Sequence, residues 1–170
     1  MSIDNIPLPA FLYQSIFENS LVDLKVNKAD IVLKEEPEIN FLGGNEKKII
    51  FLFNDDQNKF LADIHMKFLN DVLTACQLTM ADIALINIFH NTNITYRELM
   101  IQLHPKNILI FGVSTKDLDL PFTIPFFQIQ NFQDQVYMMS PSIEELQMNM
   151  QLKKQLWVGL QKIFNTRKQK

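Results

Sequence analysis

Three polar residues that could take part in catalysis or ligand binding lie just after hydrophobic runs of the chain. Asp55 and Asp56 come after the run Ile49–Phe53, where they could act as a general base or hold a metal ion. His90 follows the next hydrophobic run, a suitable place for an acid–base group. Adjacent acids are also typical of a solvated helix start, where they interact favourably with the helix dipole. We favour the structural interpretation of these residues and keep the catalytic one as the alternative.

The other residues that could do chemistry give little support for a metal site or a nucleophile. His65 flanks a predicted helix and His104 precedes Pro105, and neither has a second histidine at the spacing of a zinc site. Cys76 is the only cysteine, which excludes an intramolecular disulfide, and it lies on an apolar helical face as a small hydrophobe would. The sequence contains no Walker A motif and no Gly-x-Ser-x-Gly elbow. We therefore predict no metal and no cofactor.

The hydrophobic pattern predicts the elements that position these residues. Three short apolar runs, typical of strands buried on both faces, are Lys48–Phe53, Asp82–Phe89 and Asn107–Val113. Helices are predicted between them, across Gln57–Cys76 and Thr95–Leu103. The buried face of the first helix is predicted from residues spaced four apart, namely Phe60, Ile64, Phe68, Val72 and Cys76. This alternation predicts an α/β fold, a three-layer α/β/α sandwich with a central, mostly parallel sheet.

The ends of the chain show weaker patterns. Two further strands and two helices are predicted after the third strand, at Phe126–Gln130, Gln135–Met139, Ser142–Leu146 and Met150–Phe164. Leu8–Val22 also has helical spacing of its apolar residues. We divide the chain into an N-terminal helix and connector over residues 1–46, an α/β domain over 47–165 and a basic tail over 166–170.

Composition narrows the classes of function. The chain has 170 residues, with 16 basic and 19 acidic side chains and a net charge of −3, so we predict weak or no direct binding to DNA. No segment approaches the roughly 20 apolar residues of a membrane span, and Met1–Pro9 lacks the features of a signal peptide. We expect a cytoplasmic protein without membrane association.

From Lys48 to Phe164, about two thirds of the chain, the layout resembles that of the uracil-DNA glycosylase superfamily. The resemblance rests on four stretches, which are Ile49–Asp56, Leu73–Phe89, His104–Ser114 and Met139–Leu146 with the following Leu152–Leu160. The last stretch is the most specific, because a Ser-Pro loop precedes a helix with an internal Trp157, as a His-Pro loop does in the family. The resemblance implies a glycosylase-like fold.

The resemblance also implies roles for single residues. Asp55 matches the water-activating Asp of the family, and Asn87 matches the Asn that hydrogen-bonds the flipped base. Phe53 and Asp56 replace the flanking Gly and Pro, and Ser140 replaces the His that stabilises the departing base. A bulky Phe53 would obstruct the pocket, and losing one charge-stabilising donor costs about 10²–10³ in rate. No catalytic residues are therefore expected, and the candidates for a degenerate pocket are Phe53, Asn54, Asp55, Asn87, His90 and Ser140.

A non-enzymatic family is a closer match, namely the psi subunits of bacterial DNA polymerase III holoenzyme. The similarity lies in Asn54-Asp55 after the first core strand and Ser140-Pro141 before the helix that carries Trp. Psi subunits are adaptors that bind the chi subunit and, through an N-terminal segment, the clamp loader. The resemblance implies a replication adaptor with clamp-loader or chi-like partners, whose docking anchors are Phe11, Leu12, Ile16 and Phe17. The alternative is that Leu8–Val22 packs on its own domain.

Two other functions stay open. The chain could be a glycosylase-related enzyme or nucleobase-binding protein that uses Asp55, Asn87 and His90 in an altered site. It could also be an unrelated α/β module that binds a small ligand, because short hydrophobic strands recur in many α/β proteins.

Overall fold

The computed structural model describes residues 38–91 and 94–164. The strands of this part of the chain are β1 Ile49–Phe53, β2 Ile83–Asn87, β3 Asn107–Phe111, β4 Ile129–Phe132 and β5 Gln135–Ser140. The α-helices are α1 Asp63–Ala75, α2 Tyr96–Leu103, α3 Ile143–Met148 and α4 Met150–Phe164, and a short 3₁₀ helix spans Met80–Asp82. No helix within these residues is both long enough and apolar enough to cross a membrane.

The five strands form one sheet in the order β2-β1-β3-β5-β4. Strand β1 is parallel to both β2 and β3, and β3 is parallel to β5. Strand β4 is antiparallel to β5 and lies at the edge. The predicted α/β class with a mostly parallel sheet is therefore confirmed.

Both faces of the sheet are covered, which explains the uninterrupted apolar runs. All five residues of β1 are buried, and successive side chains point to opposite faces of a strand. Phe51 and Phe53 belong to a core with residues of α1, α3 and α4, whereas Ile50 and Leu52 belong to a second core with residues of α2. Two separate hydrophobic cores therefore hold the central strands in place.

The described part of the predicted connector packs against the free edge of β2. The backbone N–H and carbonyl of Leu42 both hydrogen-bond to Leu85, at 2.9 and 2.8 Å. Gly43 follows with φ of +116°, and a Cβ atom there would lie 2.2 Å from the carbonyl oxygen of Ile83. Only glycine fits this close approach. The predicted helix Leu8–Val22 and the tail 166–170 lie outside the described residues.

The first helix departs from its prediction. It begins at Asp63 instead of Gln57, and Ile64 is 68% exposed although the four-residue spacing placed it on the buried face. Leu69 and Leu73 are the fully buried positions. A helix has 3.6 residues per turn, so each four-residue step moves about 40° around the axis and a long series of such steps leaves the buried face.

The fourth strand also differs from its prediction. Phe126 makes only an isolated bridge to Met139, and the strand itself starts at Ile129. The hairpin between β4 and β5 sets this register, because its two turn residues, Gln133 and Asp134, both have positive φ.

Candidate functional site

The carboxyl ends of the four parallel strands lie in one row across the sheet. Asn87 of β2 is paired with Phe53 of β1, Phe53 with Phe111 of β3, and Phe111 with Ser140 of β5. From β1 the chain goes first to β2 on one side and later to β3 on the other. Such a switch in strand order opens a crevice in which open α/β sheets bind ligands.

A cavity of about 220 Å³ lies at this switch point, between the ends of β1 and β3. Most of its lining is polar, and it includes Asn54, Asp55, Asn58, His65, Gly112 and Glu144. Phe53 and Phe111, both nearly fully buried, also line it. Phe53 is therefore part of the wall and does not fill the cavity. The volume is below the roughly 300–1,000 Å³ of typical ligand pockets.

Asn87 is completely buried, and its carboxamide is committed to the loop after β1. The Nδ2 group donates to the carbonyl oxygens of Asp55 at 2.7 Å and Asn58 at 2.8 Å. The Oδ1 atom accepts from the backbone N–H groups of Asp55 and Phe89, both at 3.1 Å. These contacts use both amide protons and both lone pairs. Asn87 is not among the residues that line the cavity.

Asp55 is likewise used by its own loop. Its Oδ1 atom accepts hydrogen bonds from the backbone N–H groups of Gln57 at 2.9 Å and Asn58 at 3.1 Å. Burial alone would raise the pKa of this carboxyl, but these hydrogen bonds, that of the Asn58 side chain and the nearby His65 together lower it. A carboxylate with a lowered pKa is a weaker general base at neutral pH.

His65 is a member of the cavity wall that the sequence pattern placed only on the flank of a helix. Its Nδ1 atom lies 2.8 Å from Oε1 of Gln147, and its Nε2 atom lies 3.5 Å from Oε1 of Glu144. Gln147 also donates to the carbonyl of Ile64 at 3.1 Å. These contacts join α3 to α1 beside the cavity, which His65 and Glu144 line. The partners are about eighty residues away in the chain, so no local signal pointed to them.

The remaining candidates do not join the cavity. His90 is exposed, its ring is 5.3 Å from that of Phe89, and it lines a separate depression with Lys59 and Phe60. Ser140 is 1% exposed, and its hydroxyl donates to the carbonyl of Pro141 at 3.1 Å. Of the six candidates, the structure brings only Phe53, Asn54 and Asp55 to the cavity wall.

Cys76 and Asp82 have structural roles. Cys76 is buried, and burial raises the pKa of its thiol to about 11, so the thiol stays protonated at neutral pH. Asp82 lies at the opposite end of β2, where it accepts from the backbone N–H of Thr79 and contacts Lys47 at 3.2 Å. Among residues 38–91 and 94–164, no three or more His, Cys, Asp or Glu side chains are arranged to hold a metal ion.

Comparisons with known proteins do not assign the chain to a family. No protein-family model matches it, and no curated protein matches it either. The relation to glycosylases and psi subunits therefore stays a prediction from residue patterns. The predicted docking residues Phe11, Leu12, Ile16 and Phe17 lie outside the described residues.

Proposed function

We propose that the chain is a non-catalytic adaptor of DNA replication with a uracil-DNA glycosylase-like fold, similar to the psi subunit of DNA polymerase III holoenzyme. The observation that supports the proposal best is that the side chains of Asn87 and Asp55 both hydrogen-bond to backbone groups of one loop, the loop after β1. These two side chains match the base-reading and water-activating residues of glycosylases, and here their hydrogen-bonding groups serve the fold.

Each chemical role of a glycosylase site conflicts with a contact that the matching residue makes in this protein. To read a base, the carboxamide of Asn87 would have to leave partly buried backbone groups unpaired, at a cost of up to about 1–3 kcal/mol for each group. To activate water, Asp55 would need a free oxygen and a higher pKa, whereas its pKa is lowered. Ser140 donates its proton to a neighbouring carbonyl and offers no charge to a departing base.

An adaptor acts through surfaces that bind other proteins. The resemblance assigns this task to Leu8–Val22, where Phe11 and Phe17 would insert into a groove of a clamp-loader subunit. The mostly parallel sheet, with a hydrophobic core on each face, would serve as the rigid body that carries this segment.

Two measurements test the proposal. Incubation with uracil-containing single- and double-stranded DNA is expected to release no uracil above the background. The full chain is expected to retain clamp-loader subunits in a pull-down, and the double variant Phe11→Ser, Phe17→Ser is expected to lose them. Gln14→Ser with Asn19→Ser is the matched control in the same segment. Uracil release that Asp55→Asn abolishes, or failure to retain any clamp-loader subunit, would overturn the proposal.

A second candidate function is supported by the cavity itself. It lies at the switch point of the sheet, and carboxylate and amide groups of Asp55, Asn54 and Asn58 line it. A small polar ligand such as a nucleobase would be the occupant. A titration with uracil, monitored by amide chemical shifts, tests this function. Shifts of Asn54 and Gly112 that change with uracil would support nucleobase binding, and unchanged shifts would support the adaptor proposal.

A further inference from the structure

A large apolar depression in the described part of the chain lies beside α4, and it shares none of its lining residues with the strand-end cavity. It has a volume of about 590 Å³ and lies between α4 and the segment that precedes β4. Its apolar lining consists of Phe126, Phe127, Pro141, Leu152 and Val158. This surface, hereafter the α4 groove, falls within the size range of pockets that accept ligands or anchoring side chains.

Helix α4 packs closely on the sheet next to exposed apolar side chains of the groove. At Gly159, the helix approaches the sheet so closely that a Cβ atom would lie 2.4 Å from the sulfur of Met138 and 3.8 Å from the carbonyl of Phe127. The preceding residue, Val158, is 50% exposed, and Phe126 on the other side is 52% exposed. Exposed apolar area costs about 25 cal/mol per Å² relative to burial. A contiguous apolar surface of this kind is typical of a binding site.

The described lining of the α4 groove carries one positive charge. Lys154 is the only charged side chain among the described residues that line it, and α4 contains Lys153, Lys154 and Lys162 but no acid. Met150, Lys154 and Val158 are four residues apart and lie along one face of the helix, and Met150 is 71% exposed. Lys154 forms no ion pair with any described residue. The groove therefore combines apolar area with an available positive charge, although the whole chain has a net charge of −3.

We infer that the α4 groove binds an amphipathic helix of a partner protein whose apolar side chains are flanked by carboxylates. The apolar residues of such a helix would cover Phe126 and Val158, and a carboxylate would pair with Lys154. This inference rests on the proposed adaptor function, because it gives the chain a docking surface in addition to Leu8–Val22. The charge of α4 selects an acidic partner over a basic one.

The test uses the full chain and two synthetic helical peptides of about five turns. One has leucines on one face and glutamates elsewhere, and the other has lysines in place of the glutamates. Fluorescence anisotropy is expected to show that the acidic peptide binds at least about tenfold more tightly. Amide chemical shifts are expected to change along Leu152–Val158.

Three variants sharpen this test. Lys154→Glu is expected to weaken binding of the acidic peptide about fivefold and to strengthen binding of the basic peptide. Val158→Asp removes apolar contact and adds a like charge, so binding of the acidic peptide is expected to weaken about tenfold, and thermal unfolding shows whether the variant folds. Lys106→Glu changes an exposed lysine just before β3, outside the groove, and is the control that leaves the preference for the acidic peptide intact.

Three results would overturn the inference. The first is equal binding of the two peptides, and the second is chemical-shift changes confined to other surfaces. The third is a concentration-dependent dimer of the wild type that Val158→Asp makes monomeric. That result would identify a second copy of the chain as the occupant. The peptide assay contains no clamp-loader subunit. It can therefore succeed when the pull-down fails, or fail when the pull-down succeeds, so the two proposals can be rejected separately.

Discussion

The strand-end cavity and the α4 groove differ in what their side chains already bind. Asp55 lines the cavity, Asn87 binds the same loop without lining the cavity, and both are hydrogen-bonded within the protein. At the groove, Phe126 and Val158 are apolar and about half exposed. The cavity holds about 220 Å³ and the groove about 590 Å³. The residue types that could do chemistry therefore maintain the fold here, and the surface with unused binding capacity is apolar.

The difference follows from the cost of burying polar groups. The loop 54–59 leaves the buried end of β1 without regular secondary structure, so its backbone groups need partners from elsewhere. Asn87, at the end of the adjacent strand, supplies two donors and two acceptors in one side chain. The side chains of the α4 groove need no hydrogen-bond partners. When they stay exposed, the protein loses only the free energy that burial of their apolar area would give.

The largest effect is expected from removing the side chain of Asn87. Asn87→Ala leaves the partly buried backbone groups of Asp55 and Asn58 without their partner, the fully buried carboxamide. We expect the free energy of unfolding to fall by about 3 kcal/mol or more, since each unpaired buried group costs about 1–3 kcal/mol. Urea denaturation of the wild type and the variant measures this difference.

Asn131→Ala is the control for Asn87→Ala, because Asn131 is an exposed asparagine on the edge strand β4. We expect it to change the free energy of unfolding by at most about 0.5 kcal/mol. A loss below about 1 kcal/mol for Asn87→Ala would mean that the loop does not depend on this carboxamide. The carboxamide would then be available to a ligand, and the comparison between the two surfaces would no longer hold.

A smaller and pH-dependent effect is expected at Asp55. The pKa of Asp55 is lowered in the folded protein. Its ionised form therefore stabilises the fold at pH values above its unfolded pKa of about 3.9. This contribution is lost as the pH falls through the folded pKa. Asp55→Asn is expected to cost about 1 kcal/mol at pH 7, an effect limited by partial exposure. The difference between wild type and variant is expected to shrink as the pH is lowered from 5 to below 3.

Urea denaturation at several pH values measures the Asp55 effect. Asp56→Asn removes a negative charge from the exposed neighbour and controls for the general effect of net charge. A difference between wild type and Asp55→Asn that grows as the pH falls would contradict the assigned role. In that case Asp55 would have a raised pKa, as expected for a general base in a working site.

The strand framework could be predicted from the sequence because it depends on local apolar runs. Ile49–Phe53 and Asn107–Phe111 appear as buried strands within one or two residues of the prediction, and the helix Met150–Phe164 has the predicted bounds. The start of α1 could not be predicted in this way. Its position depends on the loop that Asn87 holds, and Asn87 is about thirty residues away in the chain.

The candidate site was less predictable than the framework, for a related reason. The sequence placed Asp55 and Asn87 at strand ends, and the structure does so too. It gave no information on whether Asn87 faces the cavity or the loop, because that depends on backbone atoms of the loop. The close packing of α4 on the sheet was equally hidden, because Gly159 looks like an ordinary helix residue until the sulfur of Met138 is found against it.

The smallest effect on stability is expected at Val158. Val158→Ala removes half-exposed methyl groups and slightly improves helix propensity, so the free energy of unfolding is expected to change by no more than about 0.5 kcal/mol. Leu156→Ala, two residues earlier at 2% exposure, is the internal reference, for which a buried leucine predicts a loss of about 2–5 kcal/mol. Thermal and urea unfolding of both variants test the contrast.

Val158→Ala distinguishes a contribution of this side chain to stability from a contribution to peptide binding. If the stability is unchanged while binding of the acidic peptide weakens, the side chain of Val158 contributes to a partner contact and not to the core. A loss above about 1.5 kcal/mol would instead show that Val158 packs as part of the core, as a fully buried valine does. The side chains of the α4 groove would then stabilise the fold, as those at the strand-end cavity do. The contrast between the two surfaces would no longer hold.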